Sequence, residues 1–230
     1  MTSPTLPEAR PHSPILLADP RVRAIAVRDN GEPLVDLPAW LTAATGSAAR
    51  SRRGVAIRLR AAALLLPADL RLRVVEGYRC AADQLAIEAA YRLVVSKEHP
   101  SADTAEIERL TSRFVAPLEV AGHVAGAAVD LTLHDPDGAP VDLGCPVDAT
   151  PEQSEGRCYL DSPLVSPTVR ARRQVLARAL RRVGLVNYAT EWWHWSFGDR
   201  YWAFVTGRLC AVYGPLDAAV RPLASLSCNR

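Results

Sequence analysis

Hydrophobic positions along the chain change period several times, and each change marks an element. Short apolar stretches, Ala24-Ile25-Ala26-Val27 and Leu34-Val35-Asp36-Leu37, flank Asn30-Gly31, a step that favours a tight turn, so residues 23–37 read as a pair of short extended segments. Ile57 to Leu66 has helical character and is stopped by Pro67. Leu70 to Val75 alternates arginine with apolar residues, the pattern of a half-buried strand, and runs into Gly77-Tyr78-Arg79. Ala81 to Lys97, rich in Ala, Leu, Ile and Glu, predicts a long helix ending before Pro100. A second helix is expected from Asp103, which can cap it with Glu106 three residues on.

Ala127 to Leu133 is short, apolar and β-branched around Asp130 and Thr132, and predicts a strand. Residues 134–163, rich in Pro, Gly and Asp, read as a long surface excursion. Val169 to Val183 places Val175, Leu176, Ala179, Leu180 and Val183 on one face, with Arg170, Arg173, Arg178 and Arg181 mostly elsewhere. This is an amphipathic helix with a solvated basic face, ended by Gly184. From Leu185 onward, short aromatic stretches punctuated by Gly198, Gly207 and Gly214 predict strands of an antiparallel sheet. Helices and strands do not alternate regularly, so the expected class is α+β, an antiparallel sheet flanked by helices.

Composition narrows the function classes. With 230 residues the chain suits one domain, taken as residues 21–230 after a flexible, proline-broken lead over 1–20. A net charge of +2 argues against a nucleic-acid or anionic-membrane partner, and Lys97 is the only lysine. The lead lacks the apolar stretch of a secretory signal, and the apolar run Ala61–Leu66 is too short to cross a bilayer, so a soluble cytoplasmic protein is expected. Five cysteines (Cys80, Cys145, Cys158, Cys210 and Cys228), widely spaced, predict free thiols rather than a disulfide framework or a thiolate metal cluster. Nothing in the pattern sets an oligomeric state.

Of five histidines, two stand in unusual company: His123 in Gly122-His123-Val124-Ala125-Gly126-Ala127-Ala128-Val129-Asp130, and His194 in Glu191-Trp192-Trp193-His194-Trp195. A hydrolytic zinc site requires three imidazole or carboxylate ligands and a separate carboxylate base, and these residues supply that set. The small residues at Gly126, Ala127 and Ala128 let the backbone fold back between His123 and Asp130. Glu191 and His194, three apart, share one side of a helical turn or irregular loop. Taken singly, each histidine reads more readily as a satisfied core residue than as a ligand. Asp130 in an apolar strand is harder to explain without a partner, because an unpaired buried carboxylate is costly. Most of Trp192, Trp193, Trp195 and Trp202 are expected in the core. His134 reads as surface, His99 as a helix-end residue and His12 as irrelevant.

His123-x6-Asp130 with Gly126 and Ala128 between, followed by Glu191-x-x-His194, resembles the zinc signature of the VanX-type D-alanyl-D-alanine dipeptidases, D,D-peptidases that share their fold with the hedgehog signalling domain. The resemblance runs from about Asp19 to Phe204, through Glu76-Gly77-Tyr78-Arg79, Val129-Asp130-Leu131-Thr132-Leu133 and Trp195-Ser196-Phe197-Gly198-Asp199-Arg200. It implies one zinc ion (Zn2+) per chain on His123, Asp130 and His194, with Glu191 as general base. By the same resemblance, Arg79 stabilises the tetrahedral intermediate and Asp148 receives the amino group of a small dipeptide. The implied activity is D-Ala-D-Ala hydrolysis, in cell-wall turnover or glycopeptide resistance. Ala121, Cys80 and Cys145 depart from the family pattern, so the same chemistry on another short peptide, a D,D-carboxypeptidase, or a non-catalytic zinc-binding module stand as alternatives.

Overall fold

The computed structural model describes residues 14–216; the lead up to residue 13, His12 and Cys228 lie outside the described residues. In chain order the elements are α1 (Pro20–Arg23), β1 (Ala26–Val27), β2 (Leu34–Asp36), β3 (Arg50–Arg52), α2 (Arg53–Ala63), β4 (Arg71–Glu76), α3 (Ala81–Glu98) and α4 (Thr104–Thr111). There follow β5 (Ala128–His134), α5 (Pro167–Arg182), β6 (Val186–Asn187), β7 (His194–Ser196), α6 (Arg200–Val205) and β8 (Cys210–Ala211). The class is α+β, built on a four-stranded antiparallel sheet in the order β4-β5-β7-β6.

Side-chain alternation along β4 and β5 divides the sheet into two faces. Leu72, Val74, Val129, Leu131 and Leu133 turn to one side, paired Leu72 with Leu133 and Val74 with Leu131. There they pack with Val55 and Leu59 of α2, Leu176 and Leu180 of α5, and Trp192, Trp193 and Trp195 in the main core. Burying such aliphatic side chains stabilises by roughly 1.5–3 kcal/mol each, which fixes the strand register. Glu76, Asp130 and His194 turn to the other side. Beyond them, α3 and α4 pair through Tyr91, Val95, Ile107 and Leu110.

Several expectations need correction. The Asn30-Gly31 turn forms, with Asp29 and Asn30 side chains accepting from the backbone N–H of Gly31 and Glu32. The extended segments beside it do not pair with each other, however: β1 runs parallel to β8, and β2 antiparallel to β3. The helix expected over Ile57–Leu66 starts at Arg53 and ends at Ala63; Leu65 and Leu66 bond back to Ala62 and Ala63 in a tightened turn before Pro67. The lead is not loose throughout, because Ile15, Leu16 and Leu17 pack with Val22, Tyr188 and Tyr201. After Leu185, only β6 and β7 join the antiparallel sheet, and Asp199 caps an unexpected helix, α6, by accepting from Trp202 N at 2.7 Å.

The largest correction concerns the excursion after β5 and the basic face of α5. Arg173 is not solvated; it is 1% exposed. Its guanidinium donates to the carbonyls of Leu143 (2.8 Å), Tyr159 (2.7 Å) and Arg157 (2.7 Å). A segment without helix or strand is thereby tied to α5, with Leu143, Cys158 and Leu160 buried beneath it. No helix among the described residues is long and apolar enough to cross a membrane. Among the described residues, Cys80, Cys145 and Cys158 are free thiols.

Candidate metal centre

Sheet register brings the chemistry together. Asp130 pairs with Glu76 on one neighbouring strand and with His194 on the other, so three polar side chains form one row across β4, β5 and β7. Directly opposed residues in an antiparallel sheet share a face. A register shift between Val74 and Glu76 turns Glu76 onto this row.

His123 arrives from the turn before β5. That turn closes at Gly126, which adopts φ +64°; a Cβ there would lie 2.6 Å from Leu34. Only glycine meets both conditions. Arg52 holds the turn from below, donating from Nε to the Ala125 carbonyl at 2.9 Å and from its backbone N–H to the Gly126 carbonyl at 2.8 Å.

His123 Nε2, Asp130 and His194 Nδ1 face one point. The separations are 3.2 Å between the two nitrogens, 3.0 Å from His194 Nδ1 to Asp130 Oδ1, and 3.4 Å from His123 Nε2 to Asp130 Oδ2. His123 Nδ1 lies 2.7 Å from the Gly77 carbonyl, which can only accept, so the proton sits on Nδ1 and Nε2 presents its lone pair. Donor atoms around a four-coordinate zinc at ~2.0–2.1 Å lie about 3.3 Å apart, so the observed spacing fits such an ion. His123 and Asp130 are buried at 5% and 3% exposure, leaving no bulk water to offset their mutual charge.

Electrostatics around the row are strongly coupled. Burial by itself would raise the Asp130 carboxyl, but the charge and hydrogen bonds of His123, then His194, outweigh it and hold Asp130 well below the usual carboxylate range. Burial would lower His123, and Asp130 outweighs that to raise it. Glu191, with Oε2 3.7 Å from His194 Nδ1, is pushed well up by burial and then by the charges of Asp130 and Asp148.

The row opens into a cavity of about 330 Å³ lined by Arg79, Asp148 and Glu191 as well as the three ligand candidates. The structure therefore gathers all six residues singled out in the sequence. Arg79 is aimed by neighbours: its Nε donates to Glu76 at 2.8 Å and its Nη1 to Gln84 Oε1 at 2.9 Å, while Gln84 Nε2 donates to the Ala116 carbonyl at 2.7 Å. Burial would lower the Arg79 guanidinium, and Glu76 more than restores it. Asp148 sits exposed at the mouth with φ +64°, an unusual backbone for a non-glycine residue. Although the residue as a whole is exposed, partial desolvation at the cavity rim and then the carboxylates of Asp130 and Glu76 push its pKa up to about 6.

Residues 52–209, more than half of the chain, match the peptidase M15 family, described as D-Ala-D-Ala dipeptidase. The chain belongs to this family. Among curated relatives it is 35% identical over 95 residues to a D-alanyl-D-alanine dipeptidase of Synechocystis sp., covering 38% of each chain. It is 34% identical over 74 residues to a D-alanyl-D-alanine dipeptidase of Escherichia coli K12, covering 32% of this chain and 36% of the relative. Those alignments thus span little more than a third of each relative's length. Among solved structures, the LdcB LD-carboxypeptidase aligns with a TM-score of 0.39 at 16% identity, covering 81% of this chain and 79% of its own. A zinc complex of the vancomycin-resistance D,D-pentapeptidase VanY aligns with a TM-score of 0.35 at 15% identity, covering 82% and 97%. Both likenesses are distant.

In this member of the peptidase M15 family, sequence reading passed over Glu76 and Gln84. Glu76 stands three residues before Arg79, an ion-pair spacing visible in the chain, whereas Gln84 reaches Arg79 only because α3 turns back after Cys80. His134 lies at the other end of β5, paired with Arg71 and bonded to the Gly138 carbonyl, clear of the site. Trp192, Trp193 and Trp195 are core residues at 0–1% exposure.

Proposed function

We propose that the chain is a zinc-dependent dipeptidase acting on D-Ala-D-Ala, one peptidase domain that takes in Ile15–Leu17 ahead of residue 21, working in the cytoplasm on cell-wall precursors or in glycopeptide resistance. One observation carries the reading: three buried ligand atoms at zinc-like spacing share a cavity with a carboxylate base, an arginine and a rim carboxylate. Zinc on His123, Asp130 and His194 would supply Lewis acidity, acidifying a water and polarising the scissile carbonyl.

The remaining work falls to the chain's own residues. Glu191 takes the proton of the attacking water and returns it to the leaving amine; its enclosed setting raises its basicity for both transfers. Arg79, held rigid by Glu76 and Gln84, donates to the oxyanion that develops on the carbonyl. Asp148 pairs with the free amino group of the substrate and so measures its length from the scissile bond. The wall formed by Leu17, Ile87, Phe114 and Ala121 excludes water and receives the methyl groups.

Glu191→Gln tests the assignment. Turnover falls by several orders of magnitude while the variant retains one zinc per chain in metal analysis. Full activity in that variant would refute the mechanism, and loss of zinc would make Glu191 part of the metal site.

A further inference from the structure

The described residues leave one long apolar surface uncovered, on α3. Tyr91 and Val95 of this helix face α4, and Gln84 faces Arg79. The opposite face carries Ala82, Leu85, Ala86, Ala89, Ala90, Leu93 and Val94, all exposed, with Leu93 at 64% and Leu85 at 49%. Ala82, Ala86, Ala89 and Leu93 follow one another at spacings of four, three and four residues. That is the seam of a two-helix coiled coil, and its small central residues allow close backbone approach.

We propose that this face pairs antiparallel with the same face of a second copy of the chain. Three features select that occupant over an unrelated protein or a lipid surface. The stripe is self-complementary, because a two-fold axis near Ala90 sets Leu93 of each copy between Ala86 and Ala89 of the other. Its charges match under the same operation: Asp83 near one end meets Lys97 near the other, and Lys97 is the only lysine in the chain. The stripe lacks the basic flank that an anionic lipid surface would call for, since Lys97 is its one exposed cation and Arg92 is half-buried. Such an isologous contact closes at two copies. One helix pair is a small interface, under about 1,200 Å², so the dimer forms in a concentration-dependent way, on the order of micromolar. Of the residues of α3 that line the cavity, Gln84 lies on the opposite side of the helix, bonded to Arg79, whereas Ile87 borders the stripe beside Val94, so the paired face runs up to the rim of the cavity.

Sedimentation of the full chain across a concentration series tests this. The wild-type chain moves from its monomer mass of 24.9 kDa to twice that value as concentration rises. Ala89→Glu, a change at an exposed helix position that leaves folding and zinc content unaltered, stays monomeric throughout. Ala90→Cys cross-links to itself under oxidised glutathione and is released by reductant, whereas the wild type does not cross-link. A wild type that is monomeric at every concentration overturns the proposal. So does an Ala89→Glu variant that still dimerises. The proposal also fails if the thiol introduced by Ala90→Cys is shielded from alkylation in the monomer, which would mean that the chain's own ends cover the stripe.

Discussion

Replacing Arg173 with methionine probes how the fold holds the mouth of the site. The guanidinium bonds three carbonyls, the buried one of Leu143 and the partly buried ones of Arg157 and Tyr159, at 2.7–2.8 Å. Methionine fills much of the same volume and donates nothing. Hydrogen bonds to a charged group contribute about 1.5–3 kcal/mol each, so three lost bonds cost roughly 5–9 kcal/mol. Relieving the burial of a guanidinium without a carboxylate partner returns several kcal/mol. The net loss is about 3 kcal/mol, which for a chain of this size lowers the melting temperature by about 6–12 °C. The effect reaches function because Leu143 precedes Asp148 by five residues on the tethered segment. Calorimetry with both proteins zinc-loaded, followed by steady-state kinetics at a temperature where both are folded, reads the two consequences separately. The variant melts lower and has a raised KM with a smaller change in kcat. A melting temperature within about 2 °C of wild type, or an unchanged KM, would show that Arg173 does not hold the segment that carries Asp148.

Two further predictions concern groups around the scissile bond. Glu76→Gln removes the carboxylate that aims Arg79 but leaves Gln84 in place, so kcat falls by about 10- to 100-fold with KM nearly constant, as expected of misplacement in the transition state. An unchanged kcat would mean that Gln84 alone orients Arg79. Asp148 binds an amine only as the carboxylate, and its pKa is raised to about 6. KM for the free dipeptide therefore rises as pH falls through that region, whereas kcat does not follow the same titration. In Asp148→Asn the KM is high at every pH and its acid limb is gone, so an acid limb that survives the substitution would assign it elsewhere.

Much of the fold was legible where apolar periodicity was clean. The strand around Asp130, the half-buried strand before Gly77 and the long α3 helix all follow from side chains that must choose a face. The metal residues were legible for a different reason: a carboxylate inside an apolar strand, together with two histidines and Glu191 in apolar surroundings, is costly unless the groups meet, whereas Arg79 and Asp148 were marked only by the family resemblance. What the chain did not reveal were interactions between distant segments. Arg173 looked like one of four basic residues on a solvated face, and only the fold shows the carbonyls of residues 143, 157 and 159 waiting beneath it. The Asn30-Gly31 turn was visible, but its flanking segments pair with β3 and β8, which no local pattern indicates. Gln84 was hidden in the same way, because its role depends on how α3 lies against Arg79.

The most direct test of the central claim is hydrolysis of D-Ala-D-Ala beside L-Ala-L-Ala and N-acetyl-D-Ala-D-Ala, with and without a chelator. The account predicts cleavage of free D-Ala-D-Ala, abolished by the chelator and restored by zinc, with little turnover of the acetylated form that cannot pair with Asp148. Cleavage that survives metal removal would contradict the metal centre. Equal turnover of the acetylated and free dipeptides would contradict the role of Asp148, and no turnover of any of them by the zinc-loaded chain would contradict the proposed substrate.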